Sequence, residues 1–185
     1  MRLAIAHLMK IFRSPALVLG LLYLCFFGYL ASSSSQLPER VATHFDGTGR
    51  ADDWMSRAGY LRSAALFALV FPLFVPAIVY VIRLLPDRSL NFPNRDYWLA
   101  PARRAETMAY LFRHSWWWAS MALGFVIGIH FLTIRANRLA PAQLSTPLVL
   151  ALAGCFIAGT AAWVVGMLRY FRRGLPPGEK DRCQG

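Results

Sequence analysis

Four long stretches of this 185-residue chain contain no Asp, Glu, Lys or Arg: residues 14–38, 63–82, 115–134 and 139–168. Such blocks exclude the polar and apolar alternation by which a soluble helix or strand shows one face to water. About twenty helical residues, at roughly 1.5 Å each, cross the roughly 30 Å hydrocarbon layer of a bilayer. Cysteine is scarce as well. Cys25 and Cys155 fall inside apolar blocks and Cys183 lies in the C-terminal tail, which excludes an outward structural disulfide and a thiolate metal cluster. No HExxH, no paired-cysteine spacing and no internal repeat occurs, so the common zinc-site motifs and repeat architectures are set aside. The blocks also lack any acid, Lys or Arg near mid-membrane, which argues against an ion-coupled path through a single chain.

What is present is apolar: 57% of residues are hydrophobic and only 16% charged, too apolar for a small soluble core. The expected fold is all-α, a polytopic membrane protein with four transmembrane helices. The net charge of +11 does not indicate a nucleic-acid partner, because the Lys and Arg flank the apolar blocks instead of gathering on one surface. Fourteen of them lie at the termini and in the middle loop, against six in the other two loops. By the positive-inside rule both termini and the middle loop are cytoplasmic.

The expected order is a basic N-terminus over 1–13, a first span over 14–35, an outward loop over 36–59 and a second span over 60–85. A cytoplasmic loop and helix extension cover 86–113, followed by a third span over 114–134, an outward loop over 135–144, a fourth span over 145–169 and a tail over 170–185. Ser14-Pro15 suits a helix start. Bulky Tyr29 stands three residues before a cut after Ala31, and no small residue precedes Cys25, so the first span is read as uncleaved. Ser32 to Ser35 read as solvating that helix's end.

The outward loop gathers the chemistry. Val41, Thr43 and Phe45 alternate with Ala42, His44 and Asp46, the period of a short strand that sets His44 and Asp46 on one face. Asp46-Gly47 with Gly49 signals a turn, and Asp52, Asp53 or Ser56 suits the cap of the next helix. His44, Phe45, Asp46, Asp52, Asp53 and Trp54 are the candidate ligand-binding residues, offering polar direction beside apolar contact. In the second span Pro72 and Pro76 lie on one helical face and read as a structural kink. Tyr97, Trp98 and the run Trp116 to Trp118 read as interfacial aromatics, and the arginines of the middle loop as topology determinants. Gly124 and Gly128 form a GxxxG, and Ala158, Ala162 and Gly166 repeat a small residue every fourth position; both mark packing faces, the first a candidate homo-oligomer contact.

Leu37-Pro38, Thr43-His44-Phe45, Gly49, Asp52 and Trp54, set between two spans, resemble a bacterial domain of unknown function shared with the SdpI family of toxin-immunity membrane proteins. The cytoplasmic motif Asn91, Pro93, Asn94, Arg95, Tyr97 and Trp98, followed by Arg103 and Arg104, is similar to a second signature of stand-alone members. The resemblance implies a multi-pass protein of the bacterial inner membrane. By analogy it implies immunity or signalling through recognition of a peptide or envelope component. No cofactor is expected, and a non-enzymatic role is favoured. The alternatives are a metal-dependent membrane enzyme, with His44, Asp46 and His130 as candidate ligands, and an accessory subunit beside a membrane-protein partner.

Overall fold

The structure is a computed structural model that describes residues 14–91 and 94–173. The expected N-terminal segment 1–13, the tail beyond 173 and Pro93 of the cytoplasmic motif lie outside the described residues. The chain is mostly helical. Helix α1 spans Pro15–Ser33 and runs into a 3₁₀ turn, Ser34–Gln36. A hairpin follows, β1 Arg40–Phe45 and β2 Ala51–Ser56. Next come α2 (Arg57–Leu84), the short α3 (Arg95–Trp98), α4 (Pro101–Asn137) and α5 (Thr146–Arg173). Four of these helices are long and apolar enough to cross a membrane, as expected. Their outer surfaces agree: Leu66, Val70 and Phe74 form a stripe along α2 that is 63%, 59% and 59% exposed. Large apolar side chains in that register suit hydrocarbon, not water.

Helix α4 is the axis. At 37 residues it is roughly 55 Å long, and α1, α2 and α5 all pack on it. The main core joins Leu19, Phe26 and Leu30 of α1 to Ala68 of α2 and to Ala119, Leu123 and Val126 of α4. Pro72 and Pro76 are buried within α2, which runs through both. Helix α5 lies across α4 at Gly128, where an added Cβ would come 2.8 Å from Leu152. That glycine therefore serves packing inside the chain, whereas an added Cβ at Gly124 would meet nothing within 4 Å.

The second strand is the main departure from the expected order. Asp52 and Asp53, expected near a helix start, lie in β2, and Ser56 alone caps α2, its Oγ accepting from the Gly59 amide at 3.1 Å. The residues Ala-Asp-Asp-Trp-Met-Ser offer neither β-branching nor alternation, so the strand forms because β1 supplies a partner. Strand β1 is itself held on its other edge by one side chain. The Asn137 carboxamide accepts from the Ala42 amide at 2.8 Å and donates to the Ala42 carbonyl at 3.0 Å. Ala42 and Val41 are fully buried there, and Leu37, Val41 and Ile134 close a small apolar cluster beneath the hairpin. At the turn Leu144 donates to the Gly49 carbonyl at 2.8 Å. Gly49 has φ +84° with the Leu144 carbonyl against it, so a side chain is excluded on both counts.

This clamp predicts that Asn137→Asp, which keeps the shape but loses the donor, destabilises the hairpin by about 1–3 kcal/mol. Limited trypsin digestion should then cut at Arg50 or Arg57 well before the spans unfold. Unchanged digestion at those arginines would show that the amide is not what holds β1.

Candidate functional site

The turn consumes Asp46. Its Oδ1 accepts from the Thr48 amide at 2.8 Å, the Thr48 hydroxyl at 2.7 Å and the Arg50 amide at 3.0 Å. These donors, the Thr48 hydroxyl first, hold the Asp46 carboxyl below its ordinary range. Irregular pairing on both sides of His44 interrupts the strand alternation, so His44 and Asp46 serve different partners instead of one face. His44 Nδ1 meets Asp52 Oδ1 across the strands at 2.5 Å, at an exposed position. The hydrogen bond to Asp52, then the charges of Asp52 and Asp53, push the His44 pKa up from its ordinary value of 6.5. Asp53 accepts from the Trp54 amide at 2.8 Å. Phe45 is half-buried opposite Ala51, and Trp54 is 42% exposed. Of the six expected ligand-binding residues, then, the structure joins His44 to Asp52 and leaves Trp54 available as apolar surface.

Below the hairpin lies a buried polar node in which two residues take roles that their positions in the sequence do not suggest. His130 of α4 is 2% exposed, with Nε2 at 3.0 Å from Ser33 Oγ and Nδ1 at 2.7 Å from Tyr60 Oη. Ser33 has one hydroxyl proton and directs it to the Tyr29 carbonyl at 2.6 Å. Proton counting therefore makes Nε2–H the donor to Ser33 and Nδ1 the acceptor from Tyr60. Both ring nitrogens are occupied, and Tyr29 and Phe26 close on the ring edge-on at 5.0 and 6.0 Å. One imidazole thus ties α1, α2 and α4 together, and Ser33 is buried with it instead of solvating the helix end. The metal candidates His44, Asp46 and His130 are engaged in three separate places. Among the described residues no group of three or more His, Cys, Asp or Glu is placed to hold a metal.

Beside the turn opens a cleft of about 500 Å³, walled by the end of α4 and the connection into α5. Thr48, Gln143 and Thr146 give it polar groups, Arg135 its one charged residue, and Leu132 and Leu139 apolar surface. None of the six expected binding residues lines it; the hairpin contributes only Gly47 and Thr48. Arg135 and Gln143 reach the site through chain crossing, in the bridge of Arg50 to Gln143 and the Leu144–Gly49 bond, and no local pattern marks them.

The motif expected to be cytoplasmic gathers at the other end of the bundle. Trp98, expected as an interfacial anchor, is instead buried, its indole Nε1 donating to the Phe171 carbonyl at 2.9 Å. Thr107 donates to the Trp98 carbonyl, and Asn94 adopts φ 51° as the chain turns into α3. Arg104 meets Asp87 at 2.7 Å and donates to the carbonyls of Arg83 and Leu85, while Arg103 lies over the Tyr97 ring at 3.8 Å. Asn91 is exposed, and Arg95 makes a 3.4 Å contact with Asp96. Through Arg104 and Trp98 the motif straps α2 and α5 to the start of α4.

Residues 21–69 match the family model described as Domain of unknown function (DUF1648). The match runs from within α1 through the hairpin into α2, and so takes in Ser33, Tyr60 and the whole hairpin. Asn137, His130, the cleft's α4 and α5 walls and the motif from Asn91 to Arg104 lie beyond it. No curated protein and no solved structure matches the chain.

Because the His44 shift is upward, the contribution of its pair with Asp52 is fully present below pH 6.5 and fades as pH rises through the higher folded value. A histidine NMR titration of the purified protein should place His44 above 6.5, and Asp52→Asn should return it toward that value. A wild-type midpoint at or below 6.5 would show that the pair does not form in solution.

Proposed function

We propose that this multi-pass membrane protein resides in the bacterial inner membrane, is related to the SdpI-type immunity proteins, and recognises a peptide or envelope component on its outward side. The observation that carries the reading is the hairpin itself. It is a polar element clamped to α4 by Asn137, with an open cleft beside it that offers a cation, hydroxyls and apolar wall together. Preformed concave sites of mixed character suit a ligand with a charged group and an apolar part. The excess of Lys and Arg at the opposite end supports an outward hairpin.

A membrane-protein partner is the second reading, favoured by one feature. Ala158, Ala162 and Gly166 lie exposed on α5, and Gly124 of α4 is also open. Small residues of this kind permit close helix approach by a second copy or a different subunit.

An alkaline phosphatase fused after Gly47 should be active, and the same fusion after Ser89 inactive; the reverse would overturn the orientation. For recognition, cells lacking the gene are challenged with a panel of secreted peptide toxins. The wild-type gene should restore survival, and Arg135→Gln or Thr48→Ala, inserted at wild-type levels, should restore it less. Equal survival of all strains across the panel would sink the immunity reading.

A further inference from the structure

At the end of the bundle away from the hairpin, a groove of about 410 Å³ opens between the start of α1, the end of α2 and the first half of α4. Its wall is largely apolar and aromatic, with Phe112 and Trp116 prominent, and its two charged residues are Arg83 and Arg113. Among the described residues no acidic one lines it. The Arg83 guanidinium lies 5.4 Å from the centroid of the Phe112 ring, within the range of a cation–π contact that orients it. Both arginines are exposed, and neither joins an ion pair among the described residues.

Their depth follows from the sequence. Arg62 and Arg83 bracket the charge-free run 63–82 of α2, and Arg113 and Arg135 bracket residues 114–134 of α4. At roughly 1.5 Å per residue each run measures about 30 Å, the hydrocarbon thickness. Arg83 and Arg113 therefore come from two helices to one groove at headgroup level, with Phe112 beside them at that level and Trp116, nearly one turn further along α4, toward the bilayer interior. The start of α1 at Ser14 and Pro15 adds the positive end of a helix dipole to the same rim.

The geometry points to a binding site for an anionic phospholipid, its phosphate held by Arg83 and Arg113 and its apolar chain lying against Phe112 and Trp116. Charge complementarity selects this occupant. The chain's own residues 1–13 carry Arg2, Lys10 and Arg13 and no acid, so they match the groove in sign. A lipid phosphate supplies the opposite sign and, in the same molecule, the apolar part that the wall requires. The site is independent of the recognition reading of the hairpin and stands on the membrane placement of the helices alone.

Native mass spectrometry of the detergent-purified full chain, with phosphatidylglycerol or phosphatidylcholine added, tests it. Phosphatidylglycerol should be retained about tenfold over phosphatidylcholine, because both carry the phosphate but the fixed positive charge of choline is repelled by the two arginines. The double variant Arg83→Gln/Arg113→Gln should lose that preference, while Arg88→Gln/Arg95→Gln, which removes the same charge outside the groove, should keep it. Equal retention of the two lipids by wild type would overturn the site without need of any variant. So would a preference that survives in the groove variant or vanishes in the control pair. Displacement of phosphatidylglycerol by inorganic phosphate would reassign the arginines to a free anion and equally defeat the lipid site.

Discussion

A carboxamide at the last residue of α4 takes the place of a missing strand. A two-stranded hairpin is marginal in water, and β1 has one edge that β2 cannot satisfy. Asn137 meets that edge with both halves of its amide, at Ala42, where the backbone is buried. An amide is suited to this because it alone among side chains offers a donor and an acceptor in the spacing of a peptide group; a carboxylate or hydroxyl would leave one backbone atom unmet. Once β1 is fixed, β2 has a partner, the turn can rest on Leu144, and the cleft acquires its second wall.

The same logic governs the node beneath. A neutral imidazole has one donor and one acceptor, and here each reaches a hydroxyl on a different helix. Removing the ring would leave the half-buried Tyr60 hydroxyl without its acceptor, at about 1–3 kcal/mol, while Ser33 Oγ would keep its bond to the Tyr29 carbonyl. Aromatic packing around the ring adds to the hold, with Tyr60 stacked on the imidazole at 5.7 Å. The hairpin therefore rests on helix ends whose relative positions are set by hydrogen bonding as well as by packing.

Local chemistry decides which features are legible before folding. The spans are legible because a run without charge over a bilayer's thickness would leave a soluble helix with no face for water. The turn at Asp46 and Gly49 is legible because carboxylate capping and positive φ are demands that few residues meet. Strand β2 is not, since its residues take their conformation from β1 and not from propensity. Neither are Asn137, Arg135 and Gln143, which work across 95 residues in the case of Asn137 and Ala42. His130 stands out as the one ionisable group of residues 115–134, yet its role depends on Ser33 and Tyr60, and a serine run and a helix start carry simpler local meanings. Trp98 misleads for a related reason: a tryptophan near a membrane boundary ordinarily marks the interface, and only the approach of Phe171 shows that it faces inward.

How α5 is attached separates the two ends of the molecule. At the end away from the hairpin, Trp163, His114, Tyr110, Tyr170 and Trp98 form a run of stacked rings, with Tyr110 and Tyr170 only 3.8 Å apart and 7° from parallel. Offset or parallel aromatic contacts add about 0.5–1.5 kcal/mol each beyond burial, so this end of α5 is held along several rings at once. In mid-membrane the hold is closer but narrower, at Gly128 against Leu152 and Gly159 against Met121. At the hairpin end the polar holds are the bond from Leu144 to Gly49, the bridge of Arg50 to Gln143 and the bond from the Gln143 amide to the Ala136 carbonyl. The cleft is walled by that same connection, Gln143 to Pro147. Attachment is thus densest where the aromatic strap closes the bundle and lighter at the cleft, so the connection from Gln143 to Pro147 is the part of the bundle freest to yield.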